Sequence, residues 1–316
     1  MNKIDVEEVI DCLPKERTLF HYFKDRYALM LLAYVSGEGK SISEIKRSPY
    51  GGLLNKPLIN ALLKRQGNGE LSAYDLSSAW PKNTYPFLLT VGVWGGRERW
   101  WYQTTRGGHN LVLQLNFSNK HDHIYRRLVR PAEEKRFNSG AHPVMEKGAR
   151  EYFRETLAWA RIDLDLNKGE ALIEEIQSDW IRGAASVQKM ILRWIKHGAT
   201  DKRPRGIEGA YEDVLHYVSN VLEPYAKFWD EAMLAATISF IREELGIRDI
   251  YYHSFETGWK LKAIGGSKPP RSLYTRLPRK FCFSETDETP VFLASDRVYR
   301  RSIKQVANPR WFHLHI

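Results

Sequence analysis

The sequence predicts an α/β fold of the α+β kind: a mostly antiparallel mixed sheet preceded by an N-terminal helical subdomain. Three observations carry that expectation. From Tyr85 onward, apolar and polar residues alternate in short runs separated by Gly-containing turns. Residues 208–246 form a long helical stretch that leads into the strand-like "IRDIYYHS". Before about Trp80 the apolar residues fall instead at helical spacing.

Lys15 to Val35 reads as a helix, because Leu19, Tyr22, Phe23, Tyr27, Met30, Leu31 and Tyr34 form one stripe. Ser41 or Ser43 can cap a short helix that "SPYGG" breaks, and Pro57 starts another with Leu58, Leu62 and Leu63 as its apolar face. These helices suit a docking subdomain over residues 1–80. The alternative is a helix-turn-helix whose wing begins in "QGNGELSAYDL". The strands "YPFLLTVGVWGG", "RWWYQTT" and "HNLVLQLNFS" predict an antiparallel meander, followed by a helix near 144–157. "LAWARIDLDL" then turns at "NKGE" into "EALIEEIQSDW". Helices are expected over 183–197 and 208–246, with a helical insertion at about 181–223 in a second domain spanning 81–316. A strand, the short helix "FETGWKLKAI" and a last strand "PVFLASD" close the chain.

The 316 residues carry a formal charge of +10, which favours an anionic partner such as a phosphorylated cofactor or nucleic acid. Two cysteines, Cys12 and Cys282, exclude a disulfide framework. The longest apolar run, "YALMLLAYV", is too short to span a bilayer, and "MNKIDVEEVIDCL" lacks a signal-peptide core, so no membrane association and a cytoplasmic location are expected. The sequence has no Walker loop, no G-x-G-x-x-G, no G-x-S-x-G and no H-E-x-x-H. The pairs "HDH" at 121–123 and "HLH" at 313–315, with His109, His142 and His253, lack a third ligand at known spacing, so no metal is expected.

The chemistry concentrates in "EALIEEIQSDWIRG", residues 170–183. Strict alternation puts Ala171, Ile173, Glu175, Gln177 and Asp179 on one face, with Leu172, Glu174, Ile176, Ser178 and Trp180 on the other. Open α/β sheets bind ligands at the C-terminal ends of such strands. Gln177, Asp179, Trp180 and Trp229 are therefore candidate substrate contacts, although acids here can also pair with arginines and both tryptophans can close a core. Lys260, Lys262, Lys268, Arg271, Arg276, Arg279 and Lys280 crowd a stretch with little opposing acid and could bind phosphates or a nucleic-acid backbone. Tyr274, Phe281 and Phe283 lie between them, placed to stack on nucleotides.

This order of elements, with "FWDEAMLAATISFIREELGIRDIYYHS" and "SLYTRLPRKFCF", resembles the GNAT-type N-acetyltransferases. "EEIQSDW" with Pro224, Trp229 and Glu231 is also similar to an uncharacterised domain of large phage-encoded polyvalent proteins. The first resemblance implies acetyl-CoA as cofactor and acyl transfer to an amine. Glu175 would be the general base, its pKa raised by burial, and Tyr274 the acid that protonates the departing thiolate. Arg203, Arg205 and Lys260 would contact the cofactor. The sequence departs from that pattern after the central strand, where some forty residues precede the long helix. In "RPRGIEGA", one residue too many separates the glycines. Coenzyme A binding and its loss both stay open, and a nucleic-acid-binding module is the alternative function.

Overall fold

Helix α1 (Lys3–Cys12) begins where the Asn2 side chain accepts from the Asp5 N–H, and strand β1 (Thr18–Tyr22) follows. The computed structural model describes residues 1–13, 18–65, 67, 69–95, 103–132, 136–139, 142, 155–199, 201–262 and 269–316. The single helix expected over 15–35 is instead β1 and then helix α2 (Arg26–Ser36), separated by Asp25 in the left-handed region at φ 65°. A stripe at spacings of three and four admits both readings over so few residues. Tertiary pairing decides, because Thr18 to Tyr22 hydrogen-bond along strand β4 (Tyr85–Gly95). Phe20 and Tyr22 are thereby buried, while Leu19 is left exposed.

Strand β2 (Lys40–Ser41), helix α3 (Ile42–Arg47), helix α4 (Pro57–Leu63, with the proline at its start), strand β3 (Glu70–Leu71) and helix α5 (Ala73–Ser77) follow α2. The stretch read as a possible wing supplies β3, which pairs with β2, and then α5, opened by a reciprocal Ser72–Asp75 capping box.

The large sheet continues with β5 (His109–Asn116), β6 (Thr156–Asp165) and β7 (Glu170–Gln177), helix α6 (Asn119–Val129) lying between β5 and β6. Of "RWWYQTT", only 103–105 are described and they are not strand; most of the helix expected near 144–157 lies outside the described residues. After β7 come helices α7 (Asp179–Lys196), α8 (Tyr211–His216) and α9 (Glu223–Ser239), then β8 (Asp249–His253) and helix α10 (Phe255–Leu261). Helix α11 (Arg276–Lys280), β9 (Ser284–Thr286), helices α12 (Val291–Ala294) and α13 (Arg297–Ser302), and β10 (Trp311–His315) complete the chain. "PVFLASD" is thus a helical turn, and the closing strand is β10. A four-residue apolar run is too short for periodicity to choose between the two.

The eight strands lie in the order β1-β4-β5-β6-β7-β8-β10-β9, and only β7 and β8 run parallel. One face is apolar: α9 packs on β5, β6 and β7 there, burying Ala232, Met233, Ala235 and Ala236. The other face mixes polar and apolar residues and is largely buried. Successive cross-strand rows place Thr90, Gln114, Trp159 and Gln177 in line, and beside them Gly92, Val112, Arg161 and Glu175.

A β-bulge creates this separation. Arg161 faces Glu175 and Ile162 faces Ile173, so Glu174 is an extra residue on β7. Unbroken alternation would put Glu175 into the apolar core with Ala171 and Ile173. With the extra residue, Ile176 joins that core while Leu172, Glu174 and Glu175 share the opposite side. The mixed character of the strand is thereby resolved.

Candidate functional site

Strands β7 and β8 pair only as far as Ile173 and Tyr252, and β7 runs on to Gln177 without its neighbour. Helix α7, leaving β7, buries Trp180, Ala184, Val187 and Ile191 in the main core, whereas α10, leaving β8, sends Leu261 into the cluster on the other side. Adjacent parallel strands whose connections leave to opposite faces open a crevice at their C-terminal ends. Here the parting is closed by buried charged side chains.

Lys262, just past α10, is 1% exposed and donates from Nζ to the Glu174 carbonyl at 2.7 Å. That carbonyl lies beyond the last β7–β8 pair, so the ammonium replaces the missing strand donor. The same Nζ is 3.6 Å from Glu175 Oε2, which also accepts from Arg161 Nη2. Arg161 Nη2 donates further to the Gln103 carbonyl at 3.0 Å, and the guanidinium stands 4.9 Å over the Trp94 ring. The Glu174 carboxylate accepts from the Thr105 N–H at 2.9 Å and hydroxyl at 2.7 Å, with His253 Nε2 at 3.1 Å. Gly258 of α10 lies directly on the His253 ring, where a Cβ would approach Cγ to 3.0 Å. This explains a glycine inside a helix.

Burial raises the pKa of both carboxylates, but their partners prevail. The His253 hydrogen bond and the charges of Lys262 and Arg161 bring Glu174 down to about 2. Lys262 and Arg161 likewise hold Glu175 below its ordinary value. The raised pKa expected for a general base at Glu175 is not what the structure gives, because two cations flank it. Burial lowers Lys262 and His253, and the imidazole donates in its neutral form.

Tyr274 arrives after α10 and lies in the same centre, its ring 5.5 Å from Lys262 Nζ and 5.6 Å from the Tyr252 ring. Burial and then Glu175 push both phenols well above the ordinary tyrosine range. Among the described residues neither hydroxyl has a hydrogen-bond partner, nor have Arg161 Nε and Nη1 or Trp94 Nε1. An unpartnered buried donor costs about 1–3 kcal/mol. The two phenols belong to the main core, and the Arg161 and Trp94 donors to the other side of the sheet.

At the end of β7, Asp179 accepts from Gln177 Nε2 at 2.8 Å, from Trp159 Nε1 at 3.3 Å and from Arg182, with His142 Nδ1 at 2.7 Å. The other proposed substrate contacts separate from this group. Trp180 is fully buried and donates to the Tyr217 hydroxyl at 2.8 Å, and Trp229 packs against the core from α9. Trp180 is a core residue and Trp229 a half-buried one packed on that core. Sequence reasoning missed Arg161, Thr105 and Trp159 as members of the centre, read Lys262 as a contact for phosphates, and weighed His142 and His253 only as metal ligands.

The residues proposed for coenzyme A do not converge. Arg203 and Arg205 are exposed between α7 and α8, and Lys260 is exposed on α10. A pyrophosphate turn needs available backbone N–H groups. Here Ile207, Glu208 and Gly209 donate theirs to Pro204, Arg130 and Val129, and a Cβ on Gly209 would lie 2.3 Å from the Leu128 carbonyl. The glycine serves close packing on α6. At the start of α7, Ser178 Oγ accepts from the Ile181 N–H. These residues do not fit the pyrophosphate of coenzyme A.

Lys268 lies outside the described residues. Lys280 pairs with Glu231 at 2.8 Å, Arg279 with Glu285 at 3.0 Å and Arg271 with Glu256 at 3.9 Å, while Arg276 is exposed. Tyr274, Phe281 and Phe283 are buried, which removes the stacking expected between these cations. His121 stacks on Phe117 at 3.6 Å, and His313 and His315 both approach Asp249 at 2.9 Å. Among the described residues there is no group of three or more His, Cys, Asp or Glu side chains placed to hold a metal, and no helix is long and apolar enough to cross a membrane. No protein family, curated protein or solved structure matches the chain.

Proposed function

We propose that this protein is an acyl-transferring enzyme whose chemistry is carried where β7 and β8 part. The observation that carries the reading is the Tyr274 hydroxyl: buried, kept protonated, without a partner, and within the field of the ionised Glu175. A carbonyl or leaving atom brought to the parting of β7 and β8 would supply the missing acceptor. Glu175, held by Arg161 and Lys262, orients the attacking group and balances its developing charge. The strand arrangement supports the same reading: an antiparallel meander, a parting parallel pair, and a closing antiparallel pair of β9 and β10. The donor class is an activated ester or thioester; acetyl-CoA is the one the resemblance implies, without the phosphate contacts at 203–209. Nucleic-acid binding has less to draw on, since four of the six described cations proposed for it are paired to acids.

The test is transfer from p-nitrophenyl acetate and from acetyl-CoA to small amines, compared between the wild-type protein and Tyr274→Phe. A loss of about a hundredfold or more in the variant, with the fold intact, is expected. Equal rates in the two proteins would remove the reading.

A further inference from the structure

Both buried carboxylates of the ionic centre are already engaged, Glu175 by Arg161 and Lys262 and Glu174 by Thr105 and His253. The proton of an attacking nucleophile needs another acceptor. Two residues beyond Glu175, on the same polar face, Gln177 leads to Asp179, whose side chain is 4% exposed, and His142, whose side chain is 26% exposed. The pair is anchored inside and opens outward on the imidazole side. Its ring lies 5.4 Å from the Trp159 indole, next to the Arg161–Glu175 row.

The hydrogen bonds fix where the imidazole proton resides. Gln177 Nε2 donates to Asp179 Oδ1 at 2.8 Å and also lies 3.1 Å from His142 Nδ1. A flipped amide would face its oxygen to the carboxylate, so the donor assignment stands. Nδ1 then either donates to Asp179 at 2.7 Å or accepts from Gln177 at 3.1 Å. The shorter, charge-assisted bond to the carboxylate prevails. Burial would raise the Asp179 pKa, but His142, Trp159 and Arg182 together hold it down and keep the acceptor charged. Nε2 is left with its lone pair and, among the described residues, without a partner.

We infer that His142 accepts the proton of the nucleophile at this site through Nε2, with Asp179 as its positioning residue. The inference rests on the acyl-transfer reading and names the class of second substrate: a neutral amine or alcohol approaching from the Trp159 side. Its lone pair forms the bond to the acyl carbon, and the bond to the leaving group breaks with both electrons on the leaving atom. The nucleophile's proton passes to His142 Nε2, Tyr274 gives its proton to the leaving atom, and the imidazolium returns a proton through solvent to the phenolate.

Two measurements test this on the full chain. Nitrogen-15 spectra of the wild-type protein report the His142 tautomer, and the Nδ1–H form is expected. Transfer from p-nitrophenyl acetate to hydroxylamine is then compared among wild type, His142→Ala, Asp179→Asn and Tyr274→Phe. His142→Ala should lose about a hundredfold, with part restored by added imidazole, and Asp179→Asn at least about tenfold. Tyr274→Phe should also fall, but imidazole should not restore it. An Nε2–H tautomer in the wild type, or a His142→Ala rate within about twofold of wild type while Tyr274→Phe falls, overturns the dyad alone. A wild-type protein that does not accelerate the transfer overturns the dyad and the acyl-transfer reading together.

Discussion

Replacing Glu174 by glutamine isolates one buried charge. The carboxylate is fully buried and titrates at about 2 in the folded protein, against an ordinary 4.5. Those values lie about 2.5 pH units apart, and at about 1.4 kcal/mol per pH unit the ionised group contributes about 3 kcal/mol at neutral pH. Between them the unfolded chain takes up a proton that the folded protein refuses. The contribution is therefore complete above pH 4.5 and is lost as the pH falls toward 2. Glutamine keeps the shape but not the charge, and its amide nitrogen meets one of the two Thr105 donors. Urea unfolding of both proteins from pH 7 to pH 3 should show a gap of about 3 kcal/mol that narrows to about 1 kcal/mol. Taking the difference cancels the other acids. A gap that stays constant through this window would mean that Glu174 is not the ionised partner of Lys262 and His253.

Three further substitutions probe the same architecture. Gly258→Ala should lower the melting temperature, because overpacking against the His253 ring costs about 1–3 kcal/mol and outweighs the helix gain of about 1 kcal/mol; a raised melting temperature would contradict the contact. Trp180→Ala should cost about 3–5 kcal/mol in urea unfolding at unchanged slope, and a loss under about 1 kcal/mol would show that the indole is not a core anchor. Tyr274→Phe should leave unfolding free energy unchanged or raise it by up to about 1 kcal/mol, since the hydroxyl has no partner; a drop above about 2 kcal/mol would reveal one.

The sequence made the β6–β7 hairpin, the helices after β7 and the position of β8 legible, because each has a long periodic pattern and clear turn residues. Its acids also pointed to the C-terminal end of β7. The side on which they stand was hidden, because a bulge leaves no trace in composition and shifts the frame by a single residue. Lys262 in "GWKLKA" reads as one of several cations that could bind phosphates, since only the parting of β7 from β8 buries it. Arg161 was hidden in an apolar strand for the same reason: its partners come from β7 and from Gln103. Thr18 to Tyr22 were misread because a five-residue strand and a helical turn share apolar spacings, and the β4 ladder decides between them.

The separation of Glu174 from His253, 79 residues apart in sequence, orders events in time. Strands β6 and β7 meet across a tight turn, so their pairing is local and early, whereas β8 must return past three helices before Lys262 can reach the bulge. The Lys262 and His253 contacts therefore lock last, after the Arg161–Glu175 pair of the hairpin, and are absent from an early folding transition state. Interactions of that kind leave the folding rate nearly untouched and act on the unfolding rate instead. What the buried ions govern is how long the native state persists once it has formed.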